Sequence, residues 1–251
     1  MKIFWTLARR ELAAYFLSVT GYVIIAAAAF LIGLSFVVLI NGLGNQPSPV
    51  PVTELFYQTP YFWLIVLLAA PVITMRLFAL EKFSGTFETL MTAPVGDVQV
   101  VAAKFTAAIV FYLVMWLPLL ACLFVVSRFT DQQGTLDAGT IGGMFLGVFL
   151  VGCLFLAAGC FTSALTRSQM AAAMVAFVLG VSLFSFGFLA RAIPAGAPQW
   201  ESQVIGYFDL FDQINDLARG VVDTRAVILY TSLAFFFLFL TLRVVESRRW
   251  K

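Results

Sequence analysis

Six runs of apolar residues, at 22–40, 60–80, 105–126, 141–165, 170–189 and 226–242, divide this chain. Each approaches or exceeds the roughly 20 residues that a helix needs to cross a hydrocarbon core. Five carry no charged side chain, and the second carries only Arg76, near its end. The pattern predicts an all-α polytopic membrane protein, with residues 1–251 forming one transmembrane domain of six transmembrane helices. The first run is longer than the roughly 7–15 apolar residues of a signal peptide, so it is read as a span.

Three polar stretches predict structure of their own. In the leader, residues 1–20, Lys2, Thr6, Arg9 and Arg10 cluster on one face of a helix, with Phe4, Leu7, Ala8, Leu12 and Tyr15 on the other. Such a helix lies in the membrane interface, either as an anchor for the first span or as a lever on it. Glu11 falls on the apolar side, which requires a partner or a protein neighbour. Between spans two and three lies a charged island, residues 81–95, EKFSGTFETLMTAPV. Ser84 is placed to cap a helix N-terminus, Glu88 then sits where the helix dipole favours a carboxylate, and Phe87, Leu90 and Met91 share one face. The pair Glu81 and Lys82 and the bend at Gly85 and Thr86 precede this stripe, and Pro94 ends it. The island is either a surface helix or a docking site for a cytosolic protein.

The third stretch, residues 191–225, follows span five. Beyond Pro194 and Pro198 it becomes amphipathic, with Val204, Tyr207, Phe208, Leu210, Phe211, Ile214 and Leu217 opposed to Asp209, Asp212, Gln213 and Asp216. A helix over 204–217, stopping near Gly220, would be a lid over span ends or a gate. Residues 41–59, with Pro47, Pro49 and Pro51, read as a loop. Gly139, Gly143 and Gly147 share a face of span four and allow close approach of a neighbour, within the subunit or across an interface.

Composition narrows the function. The chain is 62% apolar and only 11% charged, against about 25% charged for soluble domains, and its mean hydropathy is +0.99. It has no histidine, and Cys122, Cys153 and Cys160 all lie inside apolar runs without metal-ligand spacing, so they read as small buried hydrophobes. No metal site or catalytic residue is expected. A net charge of +2 without a dense basic patch excludes nucleic acid. No span carries a charge near its middle, which argues against an ion-coupled carrier. No GxxxxGK[ST] loop is present, so an ATPase driving this chain would be a separate polypeptide. Of the fifteen basic residues, eleven fall on the side of the two termini and only Arg128, Arg191, Arg219 and Arg225 opposite, which predicts cytoplasmic termini.

The segments ARREL at 8–12, RLFALEKFSGTFETLMTAPV at 76–95 with Lys104 following, ARGVVDTRAVILY at 218–230 and ESRRW at 246–250 resemble the membrane subunit of ABC-2 type transporters. The combination is most similar to the gliding-motility-type branch. Two positions depart from the family pattern: Ser18-Val19-Thr20 where a Ser-Pro often stands, and Leu80 where a second acidic residue often stands. The resemblance implies a bacterial inner-membrane permease whose residues 81–95 form the coupling helix between spans two and three. Its ATPase-coupling residues would be Glu81, Lys82, Ser84, Gly85, Thr86, Phe87, Glu88, Leu90, Met91 and Pro94. Arg9, Arg10 and Glu11 would belong to a connecting leader, and Phe208, Phe211, Arg219 and Asp223 to an outer gate of short re-entrant helices. ABC ATPase subunits carrying ATP and Mg, a second permease subunit and an auxiliary membrane-anchored extracytoplasmic protein are the implied partners. The permease itself would bind no cofactor. Moving an amphipathic or lipid-like substrate is the first function implied. Passing ATP-driven motion to an extracytoplasmic partner is the alternative.

Overall fold

The computed structural model describes residues 2–43, 51–87, 95–129, 138–191 and 210–249. Among these, regular structure is helical throughout. Six helices are long and apolar enough to cross a membrane: Val19–Gly42, Pro60–Ser84, Asp97–Val126, Gly139–Leu165, Gln169–Gly187 and Thr224–Ser247. The chain is a multi-pass membrane protein, with both termini on one face of the bundle (the terminal face) and the connections around α3 and α10 on the other (the far face). In chain order the helices are α1 Lys2–Phe16, α2 Val19–Leu43, α3 Val52–Gln58, α4 Pro60–Thr74, α5 Ala79–Ser84, α6 Asp97–Met115, α7 Leu117–Phe129, α8 Ala138–Leu165, α9 Gln169–Arg191, α10 Leu210–Ala218 and α11 Thr224–Arg249.

The fourth span, α8, is the axis. Its apolar window is 72% buried inside the protein, against 22% for the first, fifth and sixth spans, so the others wrap it and turn their outer faces to lipid. Apolar helices gain little from leaving lipid for one another, and close packing must supply the attraction. Small residues on α8 supply it. A side chain at Gly143 would strike the Leu217 carbonyl of α10, and one at Gly147 would lie 3.0 Å from the Tyr57 hydroxyl of α3. Further along, Gly152 receives the Tyr112 ring and Gly159 the Thr74 side chain. The glycine stripe therefore packs within the subunit, and its partners at the far face are the short helices α3 and α10.

Two spans are broken, which the apolar runs conceal. Pro71 lies inside α4 without an N–H to donate, and the helix ends one turn later. Residues 75–78 form turns before α5 resumes. The third span breaks at Trp116, between α6 and α7, just before Pro118. There Trp116 N–H bonds Leu113 O at 3.1 Å and Leu119 N–H bonds Trp116 O at 3.0 Å, the tightened pattern of a 3₁₀ turn.

The far face corrects the reading of 41–59 as a loop, because Val52–Gln58 is a helix with Thr53, Glu54, Phe56 and Tyr57 buried. Its start follows local rules, with Pro51 before it and Glu54 in the first turn. The amphipathic helix expected over 204–217 is described from Leu210 to Ala218, and residues 204–209, Phe208 included, lie outside the described residues. It ends before Gly220, whose φ of 83° is a left-handed conformation that favours glycine, as the sequence suggests.

Gly143→Ala drives a methyl into backbone and should destabilise the protein by about 1–3 kcal/mol. Gly142→Ala, with nothing within 4 Å of the added carbon, should leave it unchanged. Thermal unfolding of both variants in one detergent checks the difference.

Candidate functional site

The densest constellation of charge lies at the terminal face, where α1, α5, α6 and the end of α8 meet. Its centre is Lys104 on α6, two turns into the helix and only 2% exposed. Nζ of Lys104 donates to Oε1 of Glu81 at 2.8 Å and to Oε1 of Glu11 at 3.2 Å. Arg10 reaches the same carboxylates, at 2.7 Å to Glu11 and 3.4 Å to Glu81. Two cations and two carboxylates thus balance. Hydrogen bonding to Glu11 raises the pKa of the Arg10 guanidinium further. An ammonium taken this far from water requires such company. The Phe78 ring, 5.5 Å from Nζ, adds a cation–π contact.

The helix that carries Glu81 is fastened at both ends to α8. Ser163 on α8 offers its hydroxyl to the first backbone groups of α5, accepting from Phe78 N at 3.1 Å and Ala79 N at 3.2 Å. These are donors that a helix start leaves unpaired. In return Lys82 of α5 donates to the Ala164 carbonyl at the end of α8, where unpaired carbonyls and the dipole favour a cation. The leader is tied in as well: Tyr15 stacks on Phe111 of α6 with ring centroids 4.8 Å apart and donates to the Ile73 carbonyl of α4 at 2.8 Å. Glu11 thus has the partner that its position on the apolar side demanded.

The island departs from its predicted form. Ser84 is the last residue of α5, not an N-terminal cap, and helix resumes only at Thr86. The break is Gly85, with φ 76°, and Ser84 Oγ and Thr86 Oγ1 lie 2.8 Å apart across it. Phe87, expected on a docking stripe, is buried against the bundle, with the Lys82 ammonium 5.3 Å above its ring. Phe83, absent from the predicted set, is 78% exposed. Glu88, Leu90, Met91 and Pro94 lie outside the described residues. Glu81 and Lys82, expected among the ATPase-coupling residues, point inward as fasteners. Arg9 is exposed on α1.

The far face has its own ion pair. Glu54 on α3, 3% exposed, accepts from Arg219 Nε at 2.8 Å and Nη2 at 2.6 Å, a bidentate geometry. The carboxylate raises the guanidinium pKa. Thr53 Oγ1 donates to the Ala218 carbonyl at 2.8 Å, so α3 and the end of α10 form one unit. Phe211 packs against Trp63 and Phe184, with centroids 4.9 and 5.3 Å away. Asp223 accepts from Arg225 N at 2.9 Å and is the N-cap of α11. Among the described residues no group of His, Cys, Asp and Glu could hold a metal ion.

The family model described as ABC-2 family transporter protein matches residues 41–245, about four-fifths of the chain, from the last residues of α2 to the last turns of α11. This chain belongs to the ABC-2 transporter family. Membership makes it a membrane permease component and implies an ABC ATPase as its partner in general. No curated protein matches this ABC-2 chain.

Removing the Lys104 ammonium leaves the two carboxylates, Glu11 and Glu81, with Arg10 as their one shared cation in this cluster. Lys104→Met should destabilise this ABC-2 chain by roughly 3 kcal/mol, and adding Glu81→Gln should recover part of the loss by removing one of the two charges. Denaturation midpoints of the single and double variants measure it.

Proposed function

We propose that this chain is half of an ATP-driven exporter, in which a push delivered at residues 81–95 is carried into the spans through α5. What carries the proposal is the reciprocal fastening of α5: Ser163 and Lys82 bind it to span four, and Glu81 binds it to span three through Lys104 and to the leader through Arg10. A helix held only by lipid would slide under load, whereas α5 passes displacement to three elements at once. Two permease subunits, identical or related, pair in the membrane. ATP and Mg are held by separate ATPase subunits, since this chain carries no phosphate-binding loop.

The terminal face is cytoplasmic on the balance of basic residues, and the membrane is the bacterial inner membrane. On the far face, the unit of α3 and α10 is the gate, with the Glu54–Arg219 pair holding it shut. Spans without buried mid-membrane charge suit an amphipathic or lipid-like cargo. Likeness to the gliding-motility-type branch rests on residues 76–95 and 218–230, and adds an extracytoplasmic auxiliary partner.

Within the island, Phe83 is the docking knob and Phe87 the seat that holds the segment on the bundle. Burying a phenylalanine in a partner cleft contributes roughly 1.5–3 kcal/mol, so Phe83→Ala should weaken ATPase association about tenfold or more while the permease stays folded. Glu88→Arg should have a similar effect through charge reversal. Co-purification with the ATPase subunit is the measurement. Wild-type association in both variants would remove residues 81–95 from the coupling role.

Orientation is tested separately. Single cysteines replacing Gln46, Gln133 and Gln203 should react with a membrane-impermeant maleimide added to intact spheroplasts. Protection of any of them would refute the six-span arrangement with cytoplasmic termini.

A further inference from the structure

A cavity of about 780 Å³ opens between α4, α9 and α10 on the far-face side of the bundle, a volume in the range of small-molecule sites. Its polarity is graded along the membrane normal. At the far-face end stand the amides of Gln58 and Asn215. One turn deeper, Trp63, Phe184 and Phe211 form a mutual ring cluster, with centroids 4.9–5.3 Å apart. The floor is Leu67, Leu68 and Phe177. From Thr59 to Leu68 the helical rise is roughly 13 Å, close to half of a hydrocarbon core of about 30 Å. The cleft is therefore one leaflet deep. Leu64, Leu68 and Phe177 are each 40–49% exposed, so the cleft has a side open to lipid. Among the described residues no charged side chain lines it; Glu54, to which the Gln58 amide donates at 3.4 Å, is committed to Arg219.

We infer that this cleft binds a single amphiphile on the exit side, open sideways to the far-face leaflet, with its apolar chain against the rings and an uncharged hydrogen-bonding headgroup at Gln58 and Asn215. The cation beside the headgroup end, Arg219, is already neutralised by the bidentate grip of Glu54, and a carboxamide pair satisfies hydroxyl or amide groups equally well. This deepens the exporter reading by naming the chemical class of the cargo, and it rests on that reading only where the ligand is called cargo.

The test is native mass spectrometry of the full-length chain, released from micelles containing equal amounts of a monoacylglycerol and an anionic phosphatidylglycerol. Wild-type protein should retain one monoacylglycerol in preference to the anionic lipid. Leu64→Trp fills the open side without disturbing a fully buried position and should lower that retention about tenfold. Val125→Trp, on an exposed surface away from the cleft, should not. Equal retention by wild type and Leu64→Trp would mean ordinary boundary lipid, and preferential retention of phosphatidylglycerol would mean an anion site; either overturns the inference. So would a disulfide formed in high yield between Leu64→Cys and Phe177→Cys of two copies, in a background lacking the three native cysteines, since the second copy then fills the cleft. The assay needs no ATPase, so its failure leaves the coupling test of residues 81–95 intact, and failure of that test leaves this one intact.

Discussion

Close approach to α8 is the constraint on which the other elements depend. Helices in lipid lack the water-driven attraction that assembles soluble cores, so contact distance decides whether they associate. Glycines along α8 let a carbonyl, a tyrosine hydroxyl, a tyrosine ring and a threonine come to backbone range. The most buried span thus carries glycine at the points where its neighbours come closest. At the far face the glycines receive α3 and α10, and near the terminal face they receive the end of α4, just where the second span breaks.

The break is what makes an ionic node feasible. If α4 ran on as one straight helix, α5 would not be a separate piece with its own start. Instead the chain turns after Thr74, and Ser163 satisfies the backbone donors that the turn exposes. Glu81 then meets Lys104 across helices. A buried ammonium by itself is costly, but here it joins three elements whose apolar contacts alone would not define their register. The specificity of the arrangement comes from charge and its attraction from packing.

Much of the fold was legible in the sequence because lipid imposes a simple rule: backbone must be paired within a long apolar helix. The six spans follow from that rule, and the stop near Gly220 from the left-handed backbone that glycine accepts. The demand of Glu11 for a partner was legible too, since a carboxylate on an apolar face is an inconsistency that folding must resolve. What escaped notice depended on contacts distant in sequence. Lys104 looks like an ordinary flanking cation until α1 and α5 are placed against it. Glu54 sits in a proline-rich stretch, and its partner Arg219 lies far along the chain. Phe83 escaped because residues 81–84 read as a lead-in to a helix capped by Ser84, whereas they are themselves a helix that ends there, with Phe83 exposed on it.

The same helix α8 holds the ionic node's neighbours at its last turn and the far-face pair near its first, and it has no break between. Its 28 residues give a rigid rod of roughly 42 Å. With one end clamped to α5 and the other lodged against α10, it is geometrically a beam. A tilt of only about 5° would displace its far end by roughly 4 Å, comparable to the width of a methylene chain. Movement on that scale needs no unfolding and no rearranged ion pair inside the membrane, only a change in the angle at which one straight helix stands.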